Sequence, residues 1–328
     1  MSTLKDVAKK AGVNPSTVSR VISDNPRISK ATKVKVFKAM KELKYRPNAI
    51  AQSLAKSSKT KIIGIILPTN NENLFHNPFF IQVISSISNY AQDHGYYILH
   101  GHSNEEKKEI DILKDLVRSN WVDGIILTTI REHDGCVEYL QEVDMPFVVI
   151  GRPKDTNSML WVDNDNFEAM YDATLQLVEK GQRKIAYVGG SPEFTVNNKR
   201  YAGYKKALLD SGIKFNENLV FSMDDSEECG VLGARKILDY DIPDAVVTSD
   251  DLIAYGFCHV SFEKLGHYLP IIGFNNTPIS LYRNPAFSTV DIFAKRLGYY
   301  ATKILIDELE ENETTMKSFV VKTQLIER

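Results

Sequence analysis

Two sets of side chains in this 328-residue sequence have the types and spacing to recognise other molecules. The first is a short run, Asn14-Pro15-Ser16-Thr17-Val18-Ser19-Arg20, crowded with hydroxyls, an amide and a guanidinium. Such groups bind phosphate oxygens, and a planar Arg can pair with both acceptors on a guanine edge. The second set is dispersed: Asn77-Pro78-Phe79-Phe80, Arg200, Asp250-Asp251 and Asn275. Planar Arg, Asp and Asn groups form paired hydrogen bonds with vicinal hydroxyls. Phe79 and Trp161 offer flat apolar faces to a sugar ring.

The first set needs a scaffold. Leu4, Val7, Ala8 and Ala11 recur at helical spacing, with Thr3 placed to cap that helix and Gly12 to end it. Asn14 and Pro15 suit the cap and first turn of a second helix, in which Val18, Val21 and Ile22 face inward. A third helix is expected from Lys30 to Leu43, capped by Ser29, with Val34, Phe37, Ala39, Met40 and Leu43 supplying much of a small core. Two short helices around a Gly-containing turn form a helix-turn-helix, whose second helix enters the DNA major groove. Charge agrees. Residues 1–61 hold fifteen Lys and Arg against Asp6, Asp24 and Glu42, a net +12; the rest holds 25 basic against 39 acidic residues, a net −14. A basic head on an acidic body is the footprint of a domain that meets phosphates.

The run from Leu4 to Val21, with Tyr45-Arg-Pro-Asn-Ala-Ile-Ala-Gln-Ser-Leu-Ala55 after it, resembles the N-terminal signature of the LacI/GalR family of bacterial repressors. The resemblance implies base contacts from Pro15, Ser16 and Arg20, flanked by Thr3, Asn14, Thr17 and Ser19. It makes Asn48 to Lys56 a hinge helix ordered when two copies pair on DNA, with Leu54 wedged into the minor groove, Ala51 beside it, and Arg46, Lys56 and Lys59 on phosphates. An apolar wedge of this kind unstacks a base step and bends the duplex.

Beyond Lys61 the chain alternates short apolar runs (62–67, 97–99, 124–127, 147–150, 184–188, 245–247, 271–272) with helical patterns. Repeated βαβ units imply parallel sheets covered by helices. The expected fold is therefore a small all-α helix-turn-helix head with a hinge helix, joined to a two-lobed α/β body of the periplasmic-binding-protein type. The expected boundaries are 1–46 for the head and 47–61 for the hinge and linker. One lobe takes 62–160 with about 291–318, and the other takes 161–290 with about 319–328. Ligands in such sheets lie beyond the carboxyl ends of the strands. That places Pro78, Phe79, Arg200, Asp250 and Asn275 near one cleft, each matching an effector-lining position of the family, with Trp161 beside them as a flat apolar face.

No residue set has catalytic or metal-site spacing, so no enzyme, metal or cofactor is expected; His100 and His102 lack a third ligand. Gly189-Gly190-Ser191 lacks the Lys of a phosphate loop. Cys136, Cys229 and Cys258 read as small buried hydrophobes. With no apolar run of membrane or signal type, a cytoplasmic location is expected. The expected activity is repression of a carbohydrate operon, with a homodimer on a pseudo-palindromic operator and a sugar, maltose or a short maltodextrin, as releasing effector. The alternatives are a global carbon-catabolite regulator controlled by a phosphorylated carrier protein, and a purine-corepressed regulator.

Overall fold

The computed structural model describes residues 2–45, 59–68, 77–103, 106–312 and 316–328. The chain divides into two compact units, one up to Thr60 and one from Lys61 to Arg328. The hinge expected over 47–61 lies largely outside the described residues, as do Arg46, Asn48, Ala51, Leu54 and Lys56.

The first unit contains helices α1 (Leu4–Ala11), α2 (Pro15–Ile22) and α3 (Lys30–Glu42). Thr3 and Asp6 cap α1 reciprocally, and Gly12 ends it with φ 67°. Val7, Ala8, Val18, Val21, Val36 and Ala39 form the core. This corrects the expected face of α3. Val34 and Phe37 are 67% and 51% exposed, whereas Val36 is fully buried. The helix is rotated so that Val36 and Ala39, three residues apart, face α1 and α2.

In the second unit, β1 (Ile62–Ile66), β2 (Tyr97–Gly101), β3 (Gly124–Leu127), β4 (Phe147–Ile150), β5 (Leu160–Asn164) and β11 (Ser318–Val321) form one parallel sheet in the order β11-β5-β4-β3-β1-β2. A second sheet has the order β12-β10-β9-β8-β6-β7. It joins β6 (Ile185–Gly189), β7 (Val220–Ser222), β8 (Ala245–Thr248), β9 (Ile271–Phe274), β10 (Ser288–Asp291) and β12 (Gln324–Ile326). It is parallel except where β12 runs antiparallel to β10. The chain therefore crosses between lobes after Asn164, after Asp291 and after Val321. The expected divisions at 160 and 318 each fall one strand early, because β5 and β11 pair in register, Trp161 with Ser318 and Asn164 with Val321.

Helices α4 (Pro78–Asp93), α5 (Glu106–Arg118), α6 (Gly135–Glu142) and α12 (Ala294–Leu309) belong to the first lobe. The second lobe carries α7 (Asn166–Glu179), α8 (Thr195–Asp210), α9 (Glu227–Tyr240), α10 (Asp251–Leu265) and α11 (Pro278–Tyr282). One hydrophobic cluster runs through both lobes, from Ile63, Ile65 and Leu297 to Tyr187, Val247 and Leu208. Two further clusters cover the other sheet faces. At the crossings the Asn164 amide donates to the Ile292 and Val321 carbonyls, at 3.0 and 2.8 Å. One side chain from the first crossing thus ties down the other two. Among the described residues no helix is long and apolar enough to cross a membrane.

Candidate functional site

In the head, Pro at the first position of α2 fixes φ for helix entry and loses no needed donor. Val18 and Val21 then pin one face of α2 into the core and present the other. Asn14, Pro15, Ser16 and Arg20 are exposed, and Thr17 and Ser19 are half-buried. Asn14 occupies the cap position with extended backbone, yet its side chain makes no capping hydrogen bond. Thr3 is spent locally, since its hydroxyl donates to Asp6 Oδ2 at 2.8 Å and also takes part in the α1 cap. Asn14, Pro15 and Ser16 thus present a polar surface at the start of α2, and Arg20 in its last turn adds a positive charge.

In the body, a narrow cleft of about 80 Å³ lies between the carboxyl ends of the two sheets. Phe79, Arg200, Asp250 and Asn275 line it. Phe79 and Phe80 lie edge to face, 5.0 Å apart, and with Ile130, Ile150, Ile292 and Leu297 they make the apolar part of the wall.

The polar part is a connected network. Asp250, just beyond β8, caps α10 by accepting from Leu252 N at 2.7 Å. Its other oxygen accepts from Asn275 Nδ2 at 2.6 Å and from Asn77 Nδ2 at 3.1 Å. Asn77 caps α4, so this last bond joins the two lobes. Arg200 is buried over the Phe274 ring, 3.9 Å from its centroid. It donates from Nε to Asn166 Oδ1 at 2.9 Å and from Nη1 to the Ser249 carbonyl at 2.6 Å. Asn166 donates in turn to Asp163 at 2.9 Å, which ties the end of β5 to the start of α7. Asp225 accepts from Asn197 and Ser249, both at 3.1 Å.

Burial dominates the electrostatics. Desolvation pushes the Asp250 carboxyl up to about 8, helped by the charges of Asp225 and Asp251. It pushes Asp163 to about 6 and also raises Asp225, although Arg200 opposes it in both cases. Asn275 explains itself here: a carboxylate in its place would stand 2.6 Å from Asp250. Its backbone, like that of Asn276, has positive φ (96° and 46°), a conformation that Asn adopts more readily than bulkier residues. Among the described residues the buried Oδ1 atoms of Asn275 and Asn197 accept no hydrogen bond. Both residues line the cleft, so these oxygens can receive a ligand's hydroxyls.

Two expected cleft residues are elsewhere. Pro78 starts α4 but faces a surface groove with Ile81, Leu281 and Tyr282. Trp161 is buried in β5 behind Arg152, whose guanidinium lies 5.2 Å from its ring. Its indole donates to the Thr156 carbonyl at 3.0 Å. Asp251, adjacent to Asp250, is structural: it accepts from Thr289, from Thr277 N and from the Thr277 hydroxyl. The sequence reading missed Asp163, Asn166, Asn197 and Asp225. Asp163 lies near the end of β5, and Asn166 and Asn197 lie in the first turns of α7 and α8; Asp225 follows β7, too short to register as a strand by pattern.

A family model described as the periplasmic binding proteins and sugar binding domain of the LacI family matches residues 60–319. A second, described as bacterial regulatory proteins of the lacI family, matches residues 3–48. The HTH-type transcriptional regulator MalR of Streptococcus pneumoniae serotype 4 is 35% identical over 317 residues, covering 95% of this chain and 94% of that one. Catabolite control protein A of Priestia megaterium is 31% identical over 326 residues, covering 98% and 96%. The solved structure of a transcriptional regulator CelR–cellobiose complex superposes with a TM-score of 0.76 at 27% identity, covering 99% of this chain and 98% of that one.

Proposed function

The chain belongs to the LacI family of bacterial transcriptional regulators, and from that premise we propose that it represses a sugar-use operon and releases its operator when maltose or a short maltodextrin fills the cleft. The observation that carries this reading is the Asn77–Asp250 hydrogen bond between the lobes, 3.1 Å long and lining the cleft. A hydroxylated ligand seated there competes for the groups that hold the lobes together, so it has unequal affinity for different lobe arrangements. Such inequality is the thermodynamic requirement for allosteric release.

The cleft chemistry supports a neutral polyol. Asp163, Asp225 and Asp250 surround a single Arg200, so the cleft lacks the cluster of cations that would favour a phosphorylated ligand. The unfilled oxygens of Asn197 and Asn275 accept from hydroxyls. MalR likeness over nearly the whole chain favours maltose among neutral sugars.

In this reading Pro15, Ser16 and Arg20 contact bases, while Thr3, Asn14, Thr17 and Ser19 sit nearer the backbone. Arg46, Asn48, Ala51, Leu54 and Lys56 carry the hinge role by family resemblance. The protein acts as a homodimer. Ile81 on α4 and Leu281 and Tyr282 on α11 are 47%, 55% and 81% exposed. They flank one groove, and covering them with a second copy removes a costly apolar surface from water.

Fluorescence anisotropy on a fluorescent operator duplex tests the proposal. Maltose added to the bound complex lowers the anisotropy; an unchanged signal removes maltose as effector. Likeness to catabolite control protein A favours a second reading, control by a phosphorylated carrier protein. Operator affinity that rises with such a carrier and ignores maltose selects it.

A further inference from the structure

The second unit begins at Lys61, the residue through which the first unit is covalently attached. Lys61 has φ 58°, a conformation that a residue with a side chain seldom takes and that persists only where its surroundings over-determine it. Four neighbours hold it here. The Lys61 N–H donates to Asp123 Oδ2 at 2.7 Å, and its carbonyl accepts from Tyr97 N at 2.8 Å. Its ammonium reaches Glu310 Oε1 at 2.7 Å and lies 4.2 Å from the centre of the buried Tyr96 ring.

Glu310 and Tyr96 stand at the far ends of two helices that begin at the cleft. α12 opens just after the crossing at Ile292, puts Leu297 into the cleft wall and is capped at its other end by Glu310. α4 is capped by Asn77 and puts Phe79 and Phe80 into the same wall. Tyr96 follows its far end, and the Tyr96 N–H donates to the Ala91 carbonyl at 2.8 Å. Each helix has 16 residues, a length of roughly 24 Å. The two are joined along their sides. Ser86 Oγ donates to the Lys295 carbonyl at 2.6 Å, and the Tyr90 and Tyr299 rings meet edge to face at 4.9 Å. A Cβ at Gly298 would stand 2.6 Å from the Val83 carbonyl oxygen. Helices packed this closely shift together rather than deform.

From this convergence, and resting on the effector-controlled DNA binding proposed above, we infer that Lys61 is a positioning residue for DNA binding: Glu310 and Tyr96 grip it so that movement of the cleft ends of α4 and α12 reaches the linker of the first unit. A ligand that parts Asn77 from Asp250 moves the start of α4, and the helix pair carries that movement to Lys61. A half-exposed ion pair adds little stability, so the weight of the Lys61–Glu310 contact lies in its place.

Two measurements on the full chain test this, with a duplex selected from a random pool as operator. Maltose weakens operator binding of the wild-type protein by a factor within about 5–150. Glu310→Gln and Lys61→Met each lower that factor about threefold, while calorimetry gives unchanged maltose affinity for the DNA-free protein. Lys61→Arg, which keeps both partners, keeps the factor. Hydrogen exchange reads the reverse direction without sugar, because coupling between two sites is reciprocal. Operator binding alters amide exchange in residues 78–83 and 294–298 of the wild-type protein, and this response shrinks in Glu310→Gln and Lys61→Met. A lower melting temperature with the factor and the response both undiminished marks a merely structural clasp; it overturns the role of Lys61 and leaves the sugar reading standing. No exchange response in the wild-type protein overturns it as well. Inert maltose with an exchange response that depends on Lys61 removes the sugar and leaves Lys61 in its role.

Discussion

Asn77 Nδ2 donates to Asp250 Oδ2 at 3.1 Å from the opposite lobe, and the same oxygen accepts from Asn275 at 2.6 Å. One carboxyl atom is therefore shared by both halves of the cleft. A group so buried and so shared couples its protonation to folding and to lobe closure.

The pH dependence follows from the raised pKa of Asp250. In the unfolded chain an Asp titrates at about 3.9, whereas here burial holds it at about 8. The folded state keeps a proton that the unfolded state releases. Its stabilising contribution is complete below about 4 and is lost as the pH rises toward 8. From pH 6 to 8 the slope is at most about 1.4 kcal/mol per pH unit for one group. Asp163 and Asp251, raised to about 6, spend most of their effect below this window. Thermal melts at pH 6, 7 and 8 show a falling midpoint in the wild-type protein and a flatter trend in Asp250→Asn. A midpoint that climbs from pH 6 to 8 contradicts this.

Gly190 gives a second expectation. A Cβ built there meets Asp225 Oδ1 at 2.1 Å, and the Gly190 N–H donates to Ser249 Oγ at 2.8 Å. Gly190→Ala pushes Asp225 off its partners Asn197 and Ser249. Overpacking of this kind costs about 1–3 kcal/mol, read by urea denaturation, together with weaker maltose binding. Wild-type affinity in a folded Gly190→Ala protein would show that Asp225 plays no part in the site.

The same glycine shows what was legible in the sequence. Gly189-Gly190-Ser191 was visible as a motif without an assignable purpose, because its reason is a carboxylate 35 residues away. Helix starts and stops were readable at Thr3, Gly12 and Ser29, where local chemistry decides. Strands buried on both faces were readable from their apolar runs. The crossing near 291 was readable, but those after β5 and β11 were not, since β5 (Leu-Trp-Val-Asp-Asn) carries polar residues into the cleft. Val34 and Phe37 misled for a related reason: hydrophobicity does not reveal which helical stripe a neighbour covers. Trp161, expected beside the cleft, is buried in β5 behind Arg152 instead.

Asn164 holds two main-chain carbonyls of the other crossings. Asn164→Ala leaves both acceptors without that donor in a buried site, at about 1–3 kcal/mol for each unsatisfied group. The chain loses stability in urea, and amide exchange accelerates around residues 292 and 321 before it does in the sheet centres. Uniform acceleration across the sheets contradicts a local clasp.

Arg20 is exposed on α2 beside Ser16. If it pairs with guanine, Arg20→Ala costs about 1–3 kcal/mol of discrimination, or about 5- to 150-fold on operator DNA. Binding to unrelated duplexes weakens far less. Anisotropy titrations on both duplexes separate the outcomes: an equal loss on each identifies a phosphate contact.

The two edge strands β11 and β12 arise from residues 318–326, yet each completes a sheet begun far upstream. During synthesis at about 5–20 residues per second, the three-helix core closes roughly 15–55 s before those strands leave the ribosome. Each newly made molecule thus passes through an interval in which its groove-reading helix is finished and its sensor is not. Late in that interval, once β5 and β10 are made, the two sensor halves stand open at one edge with apolar strands exposed, which makes the translation time of the end of the message a determinant of yield.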